Sequence, residues 1–139
     1  YAMKRYIEQV DHTEPIGVVY CDITGLKRIN DSEGHSTGDR LICRCCDCLK
    51  RVFEGNGMFR IGGDELVVLC TGISEKEFYQ KVEELKTELA AHDVSMAVGA
   101  AVNTLEAVGK DHLLTESERR MYQDKAEYYR STGLDRRKI

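Results

Sequence analysis

Two glycines and two acids stand between apolar residues in Met58-Phe59-Arg60-Ile61-Gly62-Gly63-Asp64-Glu65-Leu66-Val67-Val68. Apolar runs on both sides of Gly-Gly predict a β-hairpin whose tight turn uses the positive φ that glycine adopts without steric cost. Asp64 and Glu65 are then held at the mouth of two strands. Alone, the acids have an equally good reading as residues that keep a turn solvated. Upstream, however, the apolar run Gly17-Val18-Val19-Tyr20-Cys21 ends on Asp22 and continues as Ile23-Thr24-Gly25-Leu26-Lys27. An acid at a strand end facing an acid on a neighbouring hairpin suits a hard divalent cation, because magnesium takes carboxylate oxygens and leaves positions for phosphate. Asp22 and Asp64 are the candidate metal pair. Backbone amides from Thr24 to Leu26, leading into a helix, suit phosphate oxygens, with Lys27 a point charge beside them.

Positioning these groups requires an alternating order of helices and strands. The pattern predicts a helix near Ala2 to Val10, a strand from Ile16 to Asp22, a helix over Leu26 to Asn30 and a long helix from Asp39. The hairpin at 58 to 70 follows. Ser74 with Glu77 forms a capping box for a helix whose apolar face is Phe78, Val82, Leu85 and Leu89. A strand at Val94 to Val102 comes next, and Thr115 with Glu118 predicts a second capping box before a last helix to about Arg130. The fold class is therefore α/β in the α+β sense, one sheet flanked by helices.

At 139 residues with a single proline, Pro15, and no low-complexity tract, the chain makes one continuous domain. A net charge of −4 supplies no basic footprint, so nucleic acid is not the expected partner. Arg130, Arg136, Arg137 and Lys138 cluster near the end and read as a solvated terminus. No apolar run has the length of a membrane span, which predicts a cytoplasmic domain. Cys43, Cys45, Cys46 and Cys48 invite a zinc reading, but helical spacing puts Ile42, Cys45, Cys46, Leu49 and Phe53 on one face and turns Cys43 and Asp47 elsewhere. Four thiolates on such a helix do not converge tetrahedrally, and small buried apolar roles are expected for the cysteines, Cys21 and Cys70 included.

Taken together, Asp22-Ile23 followed by Lys27, Ile29-Asn30-Asp31 with Gly34-His35 and Gly38-Asp39, and Arg60-Ile61-Gly62-Gly63-Asp64-Glu65-Leu66 closely resemble the GGDEF family of diguanylate cyclases. The late Met121-Tyr122-Gln123-Asp124-Lys125 resembles the family's C-terminal tyrosine-and-lysine helix. The resemblance covers nearly the whole chain. It implies a mostly antiparallel, palm-like, nucleotidyl-cyclase-like sheet and the condensation of two GTP into cyclic di-GMP and pyrophosphate in a homodimer. The chain opens at Tyr1 without the family's first Asp-x-Leu-Thr-Gly segment, so a longer bacterial signalling protein is expected. Its N-terminal part would be a sensor or receiver domain, with membrane anchoring of the parent left open.

The same resemblance implies the residue roles. The backbone carbonyl of Ile23 joins Asp22 and Asp64 on magnesium, or on manganese, since oxygen ligands suit both. Asp64 or Glu65 takes the proton of the attacking 3′-hydroxyl. Gly62 and Gly63 belong to the nucleotide site, and Lys27 and Lys125 match phosphate-contacting lysines. Asn30 and Asp39 correspond to guanine readers, whose amide and carboxylate suit the donor and acceptor edge of that base. Plainer readings stand beside these: Asp39 as an N-cap, Asn30 as a turn residue, His35 as a locally bonded side chain.

Four positions depart from the family pattern. Thr24 stands where a second aspartate is common, Leu26 replaces an aromatic, Leu66 replaces phenylalanine, and Tyr129 stands where an arginine is common, with Arg130 beside it. These keep an alternative open, a catalytically inactive module that binds GTP and acts as a nucleotide-sensing or dimerising domain. The Arg-x-x-Asp product-inhibition motif would fall at Phe53 and Asn56, with Arg51 and Glu54 out of register, so tight feedback binding of cyclic di-GMP is not expected.

Overall fold

A computed structural model describes residues 2–132. The basic residues Arg136, Arg137 and Lys138 lie outside them. Helix α1 spans Ala2–Gln9, strand β1 Pro15–Ile23, α2 Leu26–Glu33 and α3 His35–Val52. Then come β2 (Gly57–Arg60), β3 (Glu65–Thr71), α4 (Glu75–Ala91), β4 (Met96–Thr104), the short α5 (Leu105–Val108) and α6 (Lys110–Thr132). The four strands form one sheet in the order β2-β3-β1-β4, with every neighbouring pair antiparallel. This is the expected α+β sheet flanked by helices.

Side chains alternate across the sheet and so divide the core into two layers. Val19, Cys21, Leu66, Val68 and Cys70 face α3 and α4, packing against Cys45, Leu49, Phe78, Val82 and Leu85. Val18, Tyr20, Val67 and Leu69 face the other way, against Ile7 of α1 and Leu113 and Met121 of α6. Being covered on both sides, β1 is buried from Ile16 to Ile23. Burial also pushes the Cys45 and Cys70 thiols up to about 12, which suits unreactive core roles. Cys48, which the periodicity left off the apolar face, is buried as well, while Cys46 is half-buried and Cys43 exposed.

Several boundaries differ from the sequence expectation. The long helix begins at His35, not Asp39, and α2 runs on to Glu33. Gly34, at φ 89°, is both the end of one helix and the start of the next, so the chain breaks direction there. Gly38 is thus inside α3, buried because α2 crosses over it: a Cβ at Gly38 would stand 1.7 Å from the Asn30 side-chain oxygen. Asp39 is therefore a helix-interior residue and not an N-cap. The last helix likewise starts at Lys110, so Thr115 and Glu118 lie inside it and cap nothing. The true stop is Gly109, at φ 78°, which ends α5 and lets α6 set off.

The strand expected at Val94 to Val102 runs from Met96 to Thr104. At the Ser74 cap the box is half made: Ser74 Oγ accepts from the Glu77 amide at 3.2 Å, and Glu77 meets the serine hydroxyl instead of its backbone.

The sheet edge at β4 is held by α6. The amide of Val98 donates to Asp124 Oδ2 at 2.8 Å, and Arg120 donates to the Ala100 carbonyl at 2.6 Å. Both bonds occupy groups that an edge strand otherwise leaves open. The helix comes so close because position 99 is glycine: a Cβ there would meet Ser117 O at 2.1 Å and Met121 N at 2.2 Å. That approach carries Lys125 to the end of β1, where the site is built.

Candidate active site

The turn between β2 and β3 is not the tight two-residue turn that Gly-Gly suggested. Neither Gly62 nor Gly63 adopts a positive φ, and residues 61 to 64 form a wider loop closed by the Ile61 amide on Glu65 O at 3.0 Å. Arg60 supplies what the tight turn would have supplied. Its guanidinium donates to Gly62 O at 3.2 Å and Gly63 O at 2.6 Å, turning the loop back on itself.

The loop is docked on the end of β1 by the Ile23 amide, which donates to Asp64 O at 2.8 Å. Asp64 thereby sits beside the strand end that carries Asp22. In the β1–β3 register Asp22 lies directly opposite Glu65, so two carboxylates share one face of the sheet. Asp22 is 5% exposed. Glu65 Oε2 is buried without a hydrogen-bond partner. Burial raises the Glu65 carboxyl above its ordinary range, and the neighbouring charges of Asp22, Asp64 and Glu118 raise it further. Nearby, the Tyr20 hydroxyl donates to Glu118 of α6 at 3.0 Å.

An orphaned carboxylate oxygen beside a second buried acid is a donor set short of a cation, and in hardness and charge it fits magnesium or manganese. Among the described residues no three acidic, histidine or cysteine side chains converge into a closed metal site. Magnesium does not require one, since it uses one or two carboxylates and completes its shell with water and phosphate. Meanwhile Asp22 is held by Lys125, whose Nζ lies 3.2 Å from Oδ2. The lysine expected at phosphate thus sits on the candidate metal ligand.

A cleft of about 670 Å³ opens here, between the β1–α2 connection, α2 and the end of α6. Of the sequence-derived site residues, Asp22, Ile23, Asp64, Lys27 and Lys125 line it. The Thr24 amide, expected to receive phosphate, is committed to Ser95 O at 3.1 Å. Gly25, at φ 73°, caps α2 without a side-chain bond and leads its first turn to the cleft.

Glu65, Gly62, Gly63, Asn30 and Asp39 are not among the cleft's lining residues. Asn30 lies at the α2–α3 crossing over Gly38, its Oδ1 buried and unpartnered, and exposed Asp39 follows in the chain. The two expected base readers therefore neighbour one another but stand apart from the acids.

Arg28, Asp31, Tyr128 and Tyr129 also line the cleft and were not singled out as site residues. Tyr129, which departs from the family pattern, packs its ring edge-on against Tyr128 at 5.5 Å. Arg130 turns to Glu127 at 3.0 Å. Where the product-inhibition motif would fall, Phe53 is buried, Asn56 donates to Phe53 O at 3.2 Å, and Arg51 is paired with Glu88 at 2.5 Å.

A family model described as diguanylate cyclase, GGDEF domain, matches residues 2–130. The diguanylate cyclase DosC of Escherichia coli strain K12 is 32% identical over 111 residues, covering 71% of this chain and 24% of DosC. DgcS of Shewanella oneidensis, also named a diguanylate cyclase, is 28% identical over 117 residues, covering 80% of this chain and 39% of that protein. The chain spans well under half the length of these curated relatives.

Among solved structures, an EAL/GGDEF domain protein from M. capsulatus superposes with a TM-score of 0.70 at 28% identity, over 82% of this chain and 80% of that one. The GGDEF domain of DgcB from Caulobacter crescentus, solved in complex with c-di-GMP, gives a TM-score of 0.76 at 19% identity, over 89% of this chain and 84% of that one. The second likeness speaks for the fold alone. With the family model matched along nearly its whole length, this chain belongs to the GGDEF family of diguanylate cyclase domains.

Proposed function

We propose that the domain condenses two GTP molecules into cyclic di-GMP with release of pyrophosphate, each of two copies contributing one bound GTP. The observation that carries this reading is the placement of buried Asp22 directly opposite Glu65, whose buried Oε2 has no hydrogen-bond partner, with Asp64 docked beside them. The like charges of Asp22 and Asp64 raise the Glu65 carboxyl, and that repulsion suits a site completed by a divalent cation and phosphate.

Asp22 and Asp64, with the Ile23 carbonyl, hold the cation, which when bound lowers the pKa of the 3′-hydroxyl and offsets charge on the α-phosphate. Lys27, at the start of α2, contacts phosphate as a mobile point charge. Lys125 leaves Asp22 for phosphate when nucleotide enters, so its charge is used in both states. Glu65 or Asp64 accepts the 3′-hydroxyl proton. Asn30 and Asp39 pair with the guanine edge.

The test is product analysis after incubating the domain, fused to a dimerising coiled coil, with GTP and magnesium. Cyclic di-GMP and pyrophosphate that vanish in Asp64→Ala support the cyclase. Bound GTP without product moves the reading to the inactive nucleotide-binding module, which Tyr129 in the cleft favours in place of an arginine.

A further inference from the structure

Among the described residues, three cations line the cleft: Lys27, Arg28 and Lys125. Lys125 is already held by Asp22, at 3.2 Å. The end of α6 presents Tyr128 and Tyr129 to the cleft, two rings in edge contact, while Arg130 pairs with Glu127. That wall is aromatic, and among the described residues it brings no guanidinium to the cleft. Positive charge for the outer phosphates of a nucleotide must then come from α2.

Arg28 is placed to supply it. The residue is exposed in the first turn of α2, and its side chain folds back towards the start of the helix: a Cβ on Gly25 would stand 3.8 Å from Arg28 Nη2. Long helical side chains lean in this direction, over the turn that precedes their own Cα. The guanidinium is thereby laid over the β1–α2 connection. Asp31 lines the same cleft three residues further along the helix, close enough in sequence for an ion pair. Arg119 and Arg130 each take the acid three residues away, Glu116 and Glu127. Arg28 does not: among the described residues its guanidinium has no acceptor, and its carbonyl accepts from Ser32 Oγ at 2.9 Å.

We infer that Arg28 receives the outer phosphates of bound GTP, the part that leaves as pyrophosphate. The inference rests on the cyclase reading, which puts the α-phosphate at the cation held by Asp22 and Asp64. Arg28, in the helical turn that follows the end of β1, meets the phosphates farther out. Its planar fork donates to two oxygens at once, which the point charge of Lys27 does not. Arg28 thus makes the cleft count phosphates, favouring a triphosphate over a monophosphate.

The experiment measures binding, in magnesium, of GMP and of a GTP analogue carrying a methylene in place of the α–β bridging oxygen. Calorimetry serves for the analogue and NMR titration to millimolar concentration for GMP. Arg28→Met is expected to weaken the analogue about tenfold, the scale of one charge-assisted hydrogen-bonded contact, and to leave GMP unchanged. Arg28→Lys keeps the charge without the fork and falls between. Adding Tyr129→Arg to Arg28→Met puts a cation on the other wall of the same cleft and recovers most of the lost affinity.

An analogue bound equally by wild type and Arg28→Met, or a loss shared equally by GMP, overturns the role of Arg28 and leaves the cyclase reading standing. So does a double variant as weak as Arg28→Met, since the loss is then not one of cleft charge. If the wild type binds neither probe, the nucleotide site itself is wrong and both readings fall. Arg28 lies outside both core layers, so its variants are expected to unfold at the wild-type temperature. Should Arg28→Met fail to fold, the intermediate affinity of Arg28→Lys decides.

Discussion

Glu65 is the residue at which stability and chemistry pull apart. Its carboxyl is buried enough, and close enough to Asp22 and Asp64, to sit above its ordinary pKa. A raised pKa means that the folded state holds the proton more tightly than the unfolded chain, so folding loses stability as pH rises through the carboxylate range. Glu65→Gln removes the charge at every pH. It is expected to be more stable than the wild type at pH 7, because it removes a partly buried charge and its repulsion from Asp22 and Asp64. The difference shrinks as pH falls below the ordinary glutamate pKa and narrows at neutral pH when magnesium is added. Urea unfolding at several pH values checks this, and coincident curves at pH 7 would mean that Glu65 carries no strain. The sequence put Asp64 and Glu65 at a strand mouth correctly. It could not reveal that Asp22 faces Glu65 across the sheet, because register depends on where the loop closes, and the loop is four residues wide instead of two. Nor did it announce Arg60, whose partners are backbone carbonyls that no side-chain pattern encodes.

Elements were legible where apolar periodicity was strong and illegible where two helices meet end to end. The Phe78, Val82, Leu85 and Leu89 face of α4 is buried as its spacing predicts. Gly34 and Gly109 instead join consecutive helices through single positive-φ residues, and polar residues on either side give no hydrophobic phase by which to find the break. Capping chemistry at Thr115 then offered a start in the wrong place. Close packing is equally silent in sequence: Gly99 has meaning only because α6 lies on it. Gly99→Ala places a methyl against helix backbone, which has no rotamer to yield, and is expected to cost about 3 kcal/mol in urea unfolding. The same change lifts Asp124 and Arg120 from the β4 edge, so the Val98 amide should exchange its hydrogen faster. A variant of unchanged stability would mean that α6 does not ride on β4. On the opposite flank, Arg51 is spent on Glu88 and Phe53 is buried, which leaves no arginine-aspartate pair to seize product. Calorimetry with cyclic di-GMP is expected to give no tight binding outside the cleft; stoichiometric binding abolished by Arg51→Ala would overturn that.

For the molecule as a whole, the decisive fact is that among the described residues Asp22, Asp64, Lys27 and Lys125 line the same cleft. Its volume of about 670 Å³ is in the range for a single small ligand. On the cyclase reading proposed above, a product made of two nucleotides joined by two phosphodiester bonds calls for two such clefts facing each other, with two-fold symmetry letting each copy act on the other's GTP. No helix among the described residues is long and apolar enough to cross a membrane. At low concentration the rate of cyclic di-GMP formation is expected to rise with the square of domain concentration. Joining the domain to a dimeric coiled coil makes that rise linear, because the partner is supplied at a fixed effective concentration. A rate already linear for the unfused domain would show either a constitutive dimer, visible as doubled mass in light scattering, or a monomer that turns over alone. The latter would end the two-cleft argument, and with it the reason for reading the single acid cluster as half of an active site.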